Sequence, residues 1–137
     1  MLAASAPQTC LRTRLLLVRH GESVLGHEGR YAGHGDTPLT PTGRRQILSL
    51  RPRFKALRPD VIVSSDLRRC RETADLLAPG RPVRFSERLR ELDFGDWEGL
   101  TAEACRRRDP GPFKRWMRDP RSARPPEAGD QRGKPIY

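Results

Sequence analysis

The sequence is short of the features that mark membrane proteins and disulfide-rich secreted proteins. It contains no apolar run near the length of about 20 residues that a transmembrane helix needs. Its opening stretch, MLAASAPQTCLRTR, lacks the continuous apolar region of a signal peptide. The three cysteines, Cys10, Cys70 and Cys105, lie far apart and form no Cys-x-x-Cys pair. Inert, reduced thiols are therefore expected, which favours the cytoplasm.

Lysine and aromatic residues are also scarce, whereas arginine is abundant. Lysine occurs only at Lys55, Lys114 and Lys134, yet Lys and Arg together number 27 against 17 Asp and Glu, a formal net charge of +10. Such a charge fits a solvated arginine-rich surface, attraction to small anions, or nucleic-acid binding. Aromatic residues make up 6% of the chain, a small supply for stacking on bases, and no nucleic-acid-binding motif is present. Nucleic acid is therefore not the expected partner.

Apolar runs that alternate with helical signals predict a parallel α/β sheet. Strands are predicted at Arg14–Val18, Asp60–Ser65 and Pro82–Phe85. Residues 21–39 hold five glycines and are predicted to form a loop. Thr40, as N-cap before a proline, predicts a helix to about residue 57 with a break or kink at Pro52.

Three further helical segments follow from capping and apolar signals. Ser65 or Asp66 is predicted to cap a helix that runs to about residue 78. Its apolar side would carry Leu67, Ala74 and Leu77. Residues 89–99, here called the acid loop, precede Thr101, which predicts a short helix to about residue 108. Further helical turns are predicted around three apolar residues, Phe113, Trp116 and Met117.

The first candidate site lies in LLLVRHGES, where an apolar strand delivers polar residues at its C-terminal end. Ligands bind at that end of open α/β sheets. The neutral imidazole of His20 is a competent nucleophile toward phosphorus, and Arg19 offers a fork that grips phosphate oxygens in pairs. Gly21 lets the backbone approach a ligand. Taken alone, His20 is better interpreted as a hydrogen-bonded structural histidine.

Two later motifs carry matching chemistry. In SSDLRRCRET a strand ends where a helix begins, and the helix N-terminus attracts anions beside Arg68, Arg69 and Arg71. In RELDFGDWEG, a carboxyl group such as Glu91 could be a general acid near a phosphate pocket. The alternative for Glu91 is a surface acid paired with a neighbouring arginine.

Together and in this order, the motifs resemble those of the histidine phosphatase superfamily, also called the phosphoglycerate mutase-like family. LVRHGES, RYAGHGDTPLTPTGRRQ, SSDLRRCRETA, LRELDFGDWEG and DPRSARPPEAGD carry the resemblance. It implies an α/β fold, a three-layer sandwich around a mostly parallel sheet, incomplete at the C-terminus. The predicted domain spans residues 14–130, after an N-terminal arm at 1–13 and before an unmatched tail at 131–137.

The resemblance also implies a role for each matched residue. His20 would be the nucleophile that becomes phosphohistidine, Arg19 and Arg69 would hold the phosphoryl oxygens, and Glu91 would give a proton to the leaving group. The substrate-binding positions would be Gly21, Glu22, Ser23, Ala32 and Gly33. The partner implied is a small phosphorylated substrate, with no metal and no other cofactor. The sequence does not indicate the oligomeric state.

The sequence departs from the family pattern in two places. Gly26 stands where the family commonly has an asparagine that binds phosphate, and His27 or His34 is a poor substitute. The family's second catalytic histidine has no counterpart, since the chain contains only three histidines. The expectation is a C-terminally truncated chain with little activity, marginal stability and unpaired central strands.

The function predicted from these motifs is a phosphomonoester hydrolase that acts through phosphohistidine. The motif DFGDWEG and the short substrate loop resemble the phosphatase branch, including members like α-ribazole phosphatase. Two alternatives stay open: phosphoglycerate mutase-type transfer, and a truncated remnant that binds phosphate with little or no turnover.

Overall fold

A computed structural model of the chain describes residues 13–120 and 124–126. The predicted tail and nearly all of the predicted N-terminal arm lie outside these residues. The described elements are, in order, α1 Val24–His27, α2 Pro41–Leu57, β1 Val63–Ser64, α3 Arg68–Leu77, β2 Arg84–Phe85, α4 Ala102–Arg108 and α5 Pro110–Arg118. Short 3₁₀ turns lie at Glu87–Leu89 and Gly95–Trp97. None of the described helices has the length and hydropathy to cross a bilayer.

The predicted α/β class and parallel sheet are confirmed. β1 pairs with β2 in parallel, with Val63 opposite Arg84 and Ser64 opposite Phe85, and α3 makes the crossover between them. Both strands are shorter than predicted. In the part of the chain that the structure describes, β1 has β2 as its only ladder partner. With a single partner, each strand is stabilised by hydrogen bonds along one edge only, which is consistent with its short length.

The predicted first strand at Arg14–Val18 is wrong for the described chain. Its residues belong to no helix or strand, and their backbone forms no hydrogen bond to another described residue. Leu15 is 78% exposed and Leu17 87% exposed. An apolar run becomes a strand only when a neighbour satisfies its N–H and C=O groups, and no described segment lies beside this one as a strand.

The predicted loop at residues 21–39 contains the short helix α1. Ser23 is its N-cap, and the Ser23 hydroxyl accepts a hydrogen bond from the Gly26 amide at 3.3 Å. An antiparallel bridge joins Ser23 to Leu39. The hydroxyl cap makes one helical turn possible despite Gly26, whose flexibility favoured the loop prediction.

The N-terminus of α2 is as predicted, whereas its predicted break is wrong. Thr40 caps the helix by accepting a hydrogen bond from the Gly43 amide at 2.9 Å. The helix continues through Pro52 to Leu57. Pro52 lacks the N–H that would bond to the carbonyl of Leu48. Because Pro52 and Leu48 are both exposed, water can satisfy that carbonyl.

Helix α3 begins without the predicted side-chain cap. Its N-cap is Leu67, and the Arg68 amide instead donates to the Asp36 carboxylate at 3.1 Å. The Ser65 hydroxyl accepts from the Leu67 amide at 3.4 Å. The predicted apolar side is confirmed, since Leu67, Ala74 and Leu77 are buried.

Two apolar clusters flank the loop between α1 and α2. One lies between α2 and α3 and contains Leu39, Ile47 and Leu77. In the other cluster, helices α4 and α5 pack around the acid loop. Both helices were predicted, from Thr101 and from the later apolar residues. The buried residues of this cluster are Trp97, Cys105, Phe113 and Trp116, with Tyr31 packed against them. The loop that starts at Tyr31 and ends at Leu39 is therefore anchored at both ends.

Candidate active site

His20 has a hydrogen bond at each ring nitrogen. Nδ1 lies 2.8 Å from the Gly21 carbonyl oxygen, and Nε2 lies 3.3 Å from Nε of Arg69. A carbonyl only accepts and a guanidinium only donates. Nδ1 therefore carries the proton, and the lone pair of Nε2 faces Arg69. This is the neutral tautomer that a nitrogen nucleophile requires.

The surroundings of His20 also favour the neutral ring. Partial burial lowers the pKa of His20 below its usual value of 6.5, and the charges of Arg69 and Arg19 lower it further. The hydrogen bond with Gly21 and the charge of Glu91 act in the opposite direction. The net effect is a ring that is unprotonated at neutral pH.

Arg69 is the best-fixed cation of the site. It is 2% exposed, and its side chain comes from the first turn of α3. Nη1 donates to the Gly35 carbonyl at 3.1 Å and Nη2 donates to the Gly33 carbonyl at 2.8 Å. The α3 backbone is fixed as well, because the Thr73 hydroxyl donates to the Arg69 carbonyl at 2.7 Å and accepts from the Gly21 amide at 3.3 Å. Thr73 was not predicted as a site residue.

Arg19 and Glu91 lie at the same site but are held loosely. Both are exposed, and their charges reach His20 strongly enough to affect its pKa. Arg19 forms no hydrogen bond to another described residue. Glu91 accepts one, at 2.9 Å from the Leu92 amide. Within the described chain Glu91 forms no ion pair, whereas Arg90 pairs with Asp66 and with Glu87.

The backbone around Gly21 packs against α2. A Cβ at Gly21 would lie 2.5 Å from the Gly43 carbonyl oxygen, and a Cβ at Gly43 would lie 2.1 Å from the Glu22 carbonyl oxygen. The Glu22 carboxylate accepts from the Thr40 hydroxyl at 2.6 Å, and this bond lowers its pKa. Ser23, as described, caps α1. The polar groups of Glu22 and Ser23 thus have protein partners.

The predicted substrate positions Ala32 and Gly33 lie in the loop from Tyr31 to Leu39, and Gly33 is held there from two sides. Ala32 is half-buried and Gly33 is buried. Both polar backbone groups of Gly33 are taken, its carbonyl by Arg69 and its amide by the Glu98 carboxylate at 3.1 Å. No sequence signal singled out Glu98 from the other acids of the acid loop.

The other two histidines, His27 and His34, contact acidic residues outside the His20–Arg69 pair. His34 lies with Nε2 3.1 Å from the Glu91 carbonyl oxygen and Nδ1 3.5 Å from the Asp93 carboxylate. His27 is exposed and lies 3.4 Å from the Glu22 carboxylate. Neither ring has a hydrogen bond to His20 or Arg69.

Neither the described cysteines nor a metal cluster supplies a further reactive group. Burial raises the pKa of Cys70, the neighbour of Arg69, and also that of Cys105, so both are thiols at neutral pH and poor nucleophiles. Across residues 13–120 and 124–126, no cluster of three or more His, Cys, Asp or Glu side chains could hold a metal ion.

The sequence matches the histidine phosphatase superfamily (branch 1) over residues 15–134. The chain belongs to this superfamily.

Solved and sequenced members of the superfamily resemble the chain over about half of their length. It is 38% identical over 121 residues to glucosyl-3-phosphoglycerate phosphatase of Mycolicibacterium vanbaalenii, covering 87% of this chain and 53% of that protein. The crystal structure of α-ribazole phosphatase from Shigella flexneri matches with a TM-score of 0.75 at 34% identity, covering 79% of this chain and 55% of that one. A mycobacterial glucosyl-3-phosphoglycerate phosphatase in complex with VO₃ matches with a TM-score of 0.69 at 37% identity, covering 77% and 53%.

A cavity of about 710 Å³ lies away from His20. It is lined by Arg58 after the end of α2, by Leu77 at the end of α3, and by Arg81. Leu77 lies eight residues after Arg69 on one helix, about 12 Å along its axis. Arg58 directly follows the C-terminus of α2, where a cation complements the helix dipole, and Arg81 donates to the Pro59 carbonyl, so both arginines have a structural role.

Proposed function

We propose that the chain carries the phosphoryl-accepting site of a phosphomonoester hydrolase, with His20 as the nucleophile. The observation that carries the proposal is the His20 ring, which is neutral, has its proton on Nδ1, and turns the Nε2 lone pair toward Arg69. The Nε2–Arg69 bond is long at 3.3 Å, so a phosphoryl group that offers Arg69 oxygen acceptors can displace it.

The reaction would proceed in two balanced steps. In the first, the Nε2 lone pair of His20 bonds to phosphorus, the bond from phosphorus to the ester oxygen breaks, and Glu91 gives that oxygen a proton. In the second, a water molecule attacks the phosphorus of the phosphohistidine while Glu91 takes a proton from that water, and the N–P bond breaks to release phosphate. Arg69, and Arg19 after it turns inward, would hold the phosphoryl oxygens throughout.

The substrate class is a small phosphorylated molecule. The relatives are named as phosphatases of different phosphorylated compounds, glucosyl-3-phosphoglycerate and α-ribazole phosphate, so the proposal extends to the class and not to one compound. A cytoplasmic location belongs to the same proposal. It is supported by Cys70 and Cys105, which are free thiols.

A second candidate function is phosphate binding without turnover. Arg19 and Glu91, the groups expected to complete the chemistry, are both exposed. An exposed acid is poorly preorganised to protonate a leaving group, whereas the buried Arg69 is ready to bind an anion.

Trapping of the phosphoenzyme separates the two functions. The purified chain is mixed with p-nitrophenyl phosphate, quenched in alkali, where phosphohistidine persists, and analysed by peptide mass spectrometry. Phosphate on the His20 peptide, absent in His20→Ala and retained in His27→Ala, is the expected result. Phosphate on another residue, or label that survives in His20→Ala, would contradict the proposal. An unlabelled chain that still binds inorganic phosphate would favour the second function.

A further inference from the structure

We propose that Glu98 is a positioning residue of this site: its carboxylate fixes a loop whose carbonyl groups hold the Arg69 guanidinium beside His20. Glu98 does not touch His20 and would not touch a substrate bound there. The inference rests on the proposed function only in taking Arg69 as the group that binds phosphate.

The Glu98 carboxylate binds three consecutive backbone amides. Oε2 accepts from the Gly33 amide and from the Gly35 amide, each at 3.1 Å, and Oε1 accepts from the His34 amide at 2.8 Å. Successive N–H groups that converge in this way form an anion-binding concavity. Here the anion is the Glu98 carboxylate, so all three backbone amides of residues 33–35 depend on this one side chain for their hydrogen bonds.

The same loop holds Arg69 through its opposite face. The carbonyls of Gly33 and Gly35, the two residues whose amides bind Oε2 of Glu98, accept from Nη2 and Nη1 of Arg69. The peptide group between Gly33 and His34 donates its N–H to Oε1 of Glu98 and accepts from Nη2 of Arg69 at its carbonyl. A carboxylate, one peptide group and a guanidinium are thereby joined in a hydrogen-bonded chain that ends at Nε2 of His20. Linked hydrogen bonds with charged ends polarise and strengthen one another.

Glu98 also ties this loop to the acid loop. Oε1 accepts a fourth hydrogen bond, from the Phe94 amide at 3.1 Å. The fit leaves no space for adjustment: a Cβ at Gly33 would lie 1.9 Å from the Leu92 carbonyl oxygen and 2.5 Å from Oε1 of Glu98. The Glu98 carboxylate therefore sets the segment that carries Glu91 against the segment that holds Arg69, beside the contacts that the exposed His34 ring makes with the same segment.

The first test measures phosphate affinity and the titration of His20 in the full chain and in Glu98→Gln. The amide keeps the size of the side chain but points an NH₂ group at backbone donors, so at least one pair of hydrogen bonds is lost. The dissociation constant for inorganic phosphate is expected to rise about tenfold, as for the loss of a charge-assisted hydrogen bond. The pKa of His20, followed by NMR, is expected to rise as Arg69 moves away.

Glu103→Gln serves as the matched control, because Glu103 is an exposed glutamate paired with Arg106. This variant should change neither the phosphate affinity nor the pKa of His20.

A double-mutant cycle distinguishes positioning from general loosening. In an Arg69→Gln background, Glu98→Gln should cause no further change in phosphate affinity or in the pKa of His20, because the group through which it acts is gone. Equal effects in both backgrounds, or a folded Glu98→Gln with parental values, would overturn the proposal. If Glu98→Gln does not fold, Glu98→Asp replaces it. Its carboxylate is too short to reach both loops, so intermediate values support the inference and parental values refute it.

Neither measurement needs turnover, so the outcome is independent of the proposed function. If His20 is never phosphorylated but Glu98→Gln shifts its pKa through Arg69, the positioning role stands and the hydrolase proposal fails. If the chain does not bind phosphate, the His20 titration alone decides. If His20 is phosphorylated and Glu98→Gln changes nothing, the hydrolase proposal stands and the positioning role is rejected.

Discussion

At the scale of single residues, the chemistry of the site depends on which nitrogen of His20 carries the proton. The Gly21 carbonyl fixes the proton on Nδ1, and burial with two nearby arginines disfavours a second proton. The Gly21 hydrogen bond selects the tautomer although it raises the pKa of the ring, and burial together with the two arginines outweighs that effect, so Nε2 is left unprotonated.

Acid should reduce both phosphorylation and stability through His20. Because burial holds the folded pKa of His20 below 6.5, the unfolded chain takes up this proton first as the pH falls through 6.5. The His20 contribution to the free energy of unfolding should thus be complete above 6.5 and decline below it, and phosphorylation should fall as the ring is protonated. NMR titration and denaturant unfolding at several pH values test this, with His20→Asn as the control. A folded pKa above 6.5 would contradict it.

Two helical glycines should respond in opposite ways to alanine. Gly43→Ala would place Cβ 2.1 Å from the Glu22 carbonyl oxygen, whereas Gly111→Ala, in α5, meets nothing nearer than 3.7 Å. Overpacking should lower the free energy of unfolding by about 1–3 kcal/mol at residue 43. Helix propensity should raise it by up to about 1 kcal/mol at residue 111. Denaturant unfolding measures both, and stabilisation by Gly43→Ala would show that the backbone contact can relax.

At the scale of helices and strands, the sequence predicts the features that local capping residues determine, and it does not predict those that depend on contacts between distant residues. Thr40 and Thr101 lie next to the helices that they cap, and both N-termini were found from the sequence. The α3 cap is supplied by Asp36, which is 32 residues away from Arg68 in the chain. No local pattern shows such a partner. The strand predicted at residues 14–18 failed for the same reason, since a ladder needs a distant neighbour.

The cap of α2 should contribute more to stability than the cap of α4. Both hydroxyls accept from a backbone amide, but that of Thr40 also donates to Glu22. Thr40→Ala should cost about 1–2 kcal/mol and Thr101→Ala about 1 kcal/mol or less. Because Thr40 lowers the pKa of Glu22 below 4.5, the extra stabilisation exists above that pH and is lost as the pH falls through the lowered value. Unfolding of both variants near neutral pH and in acid tests this, and equal losses at every pH would contradict it.

For the molecule as a whole, the order of motifs carried more information than their spacing. The three patches around His20, Arg69 and Glu91 were predicted to form one site, and the structure brings their charges together. The amide and carbonyl partners of residues 33–35 could not be foreseen. They depend on how Glu98, more than 60 residues later, packs back onto the loop, and neither composition nor periodicity encodes such a contact.

The exposed apolar segment at residues 14–18 should make the chain self-associate. Leu15 and Leu17 are 78% and 87% exposed, and Val63 of β1 is 52% exposed. Apolar backbone without a described ladder partner can pair as a strand with another chain, and lysine on an edge opposes such pairing. Leu17→Lys should therefore reduce the concentration-dependent mass seen by sedimentation without lowering the melting temperature. Leu48→Lys, at a leucine 44% exposed on helix α2, adds the same charge away from this segment and should leave association unchanged. Equal reductions in both variants would show that net charge, and not the apolar segment, controls association.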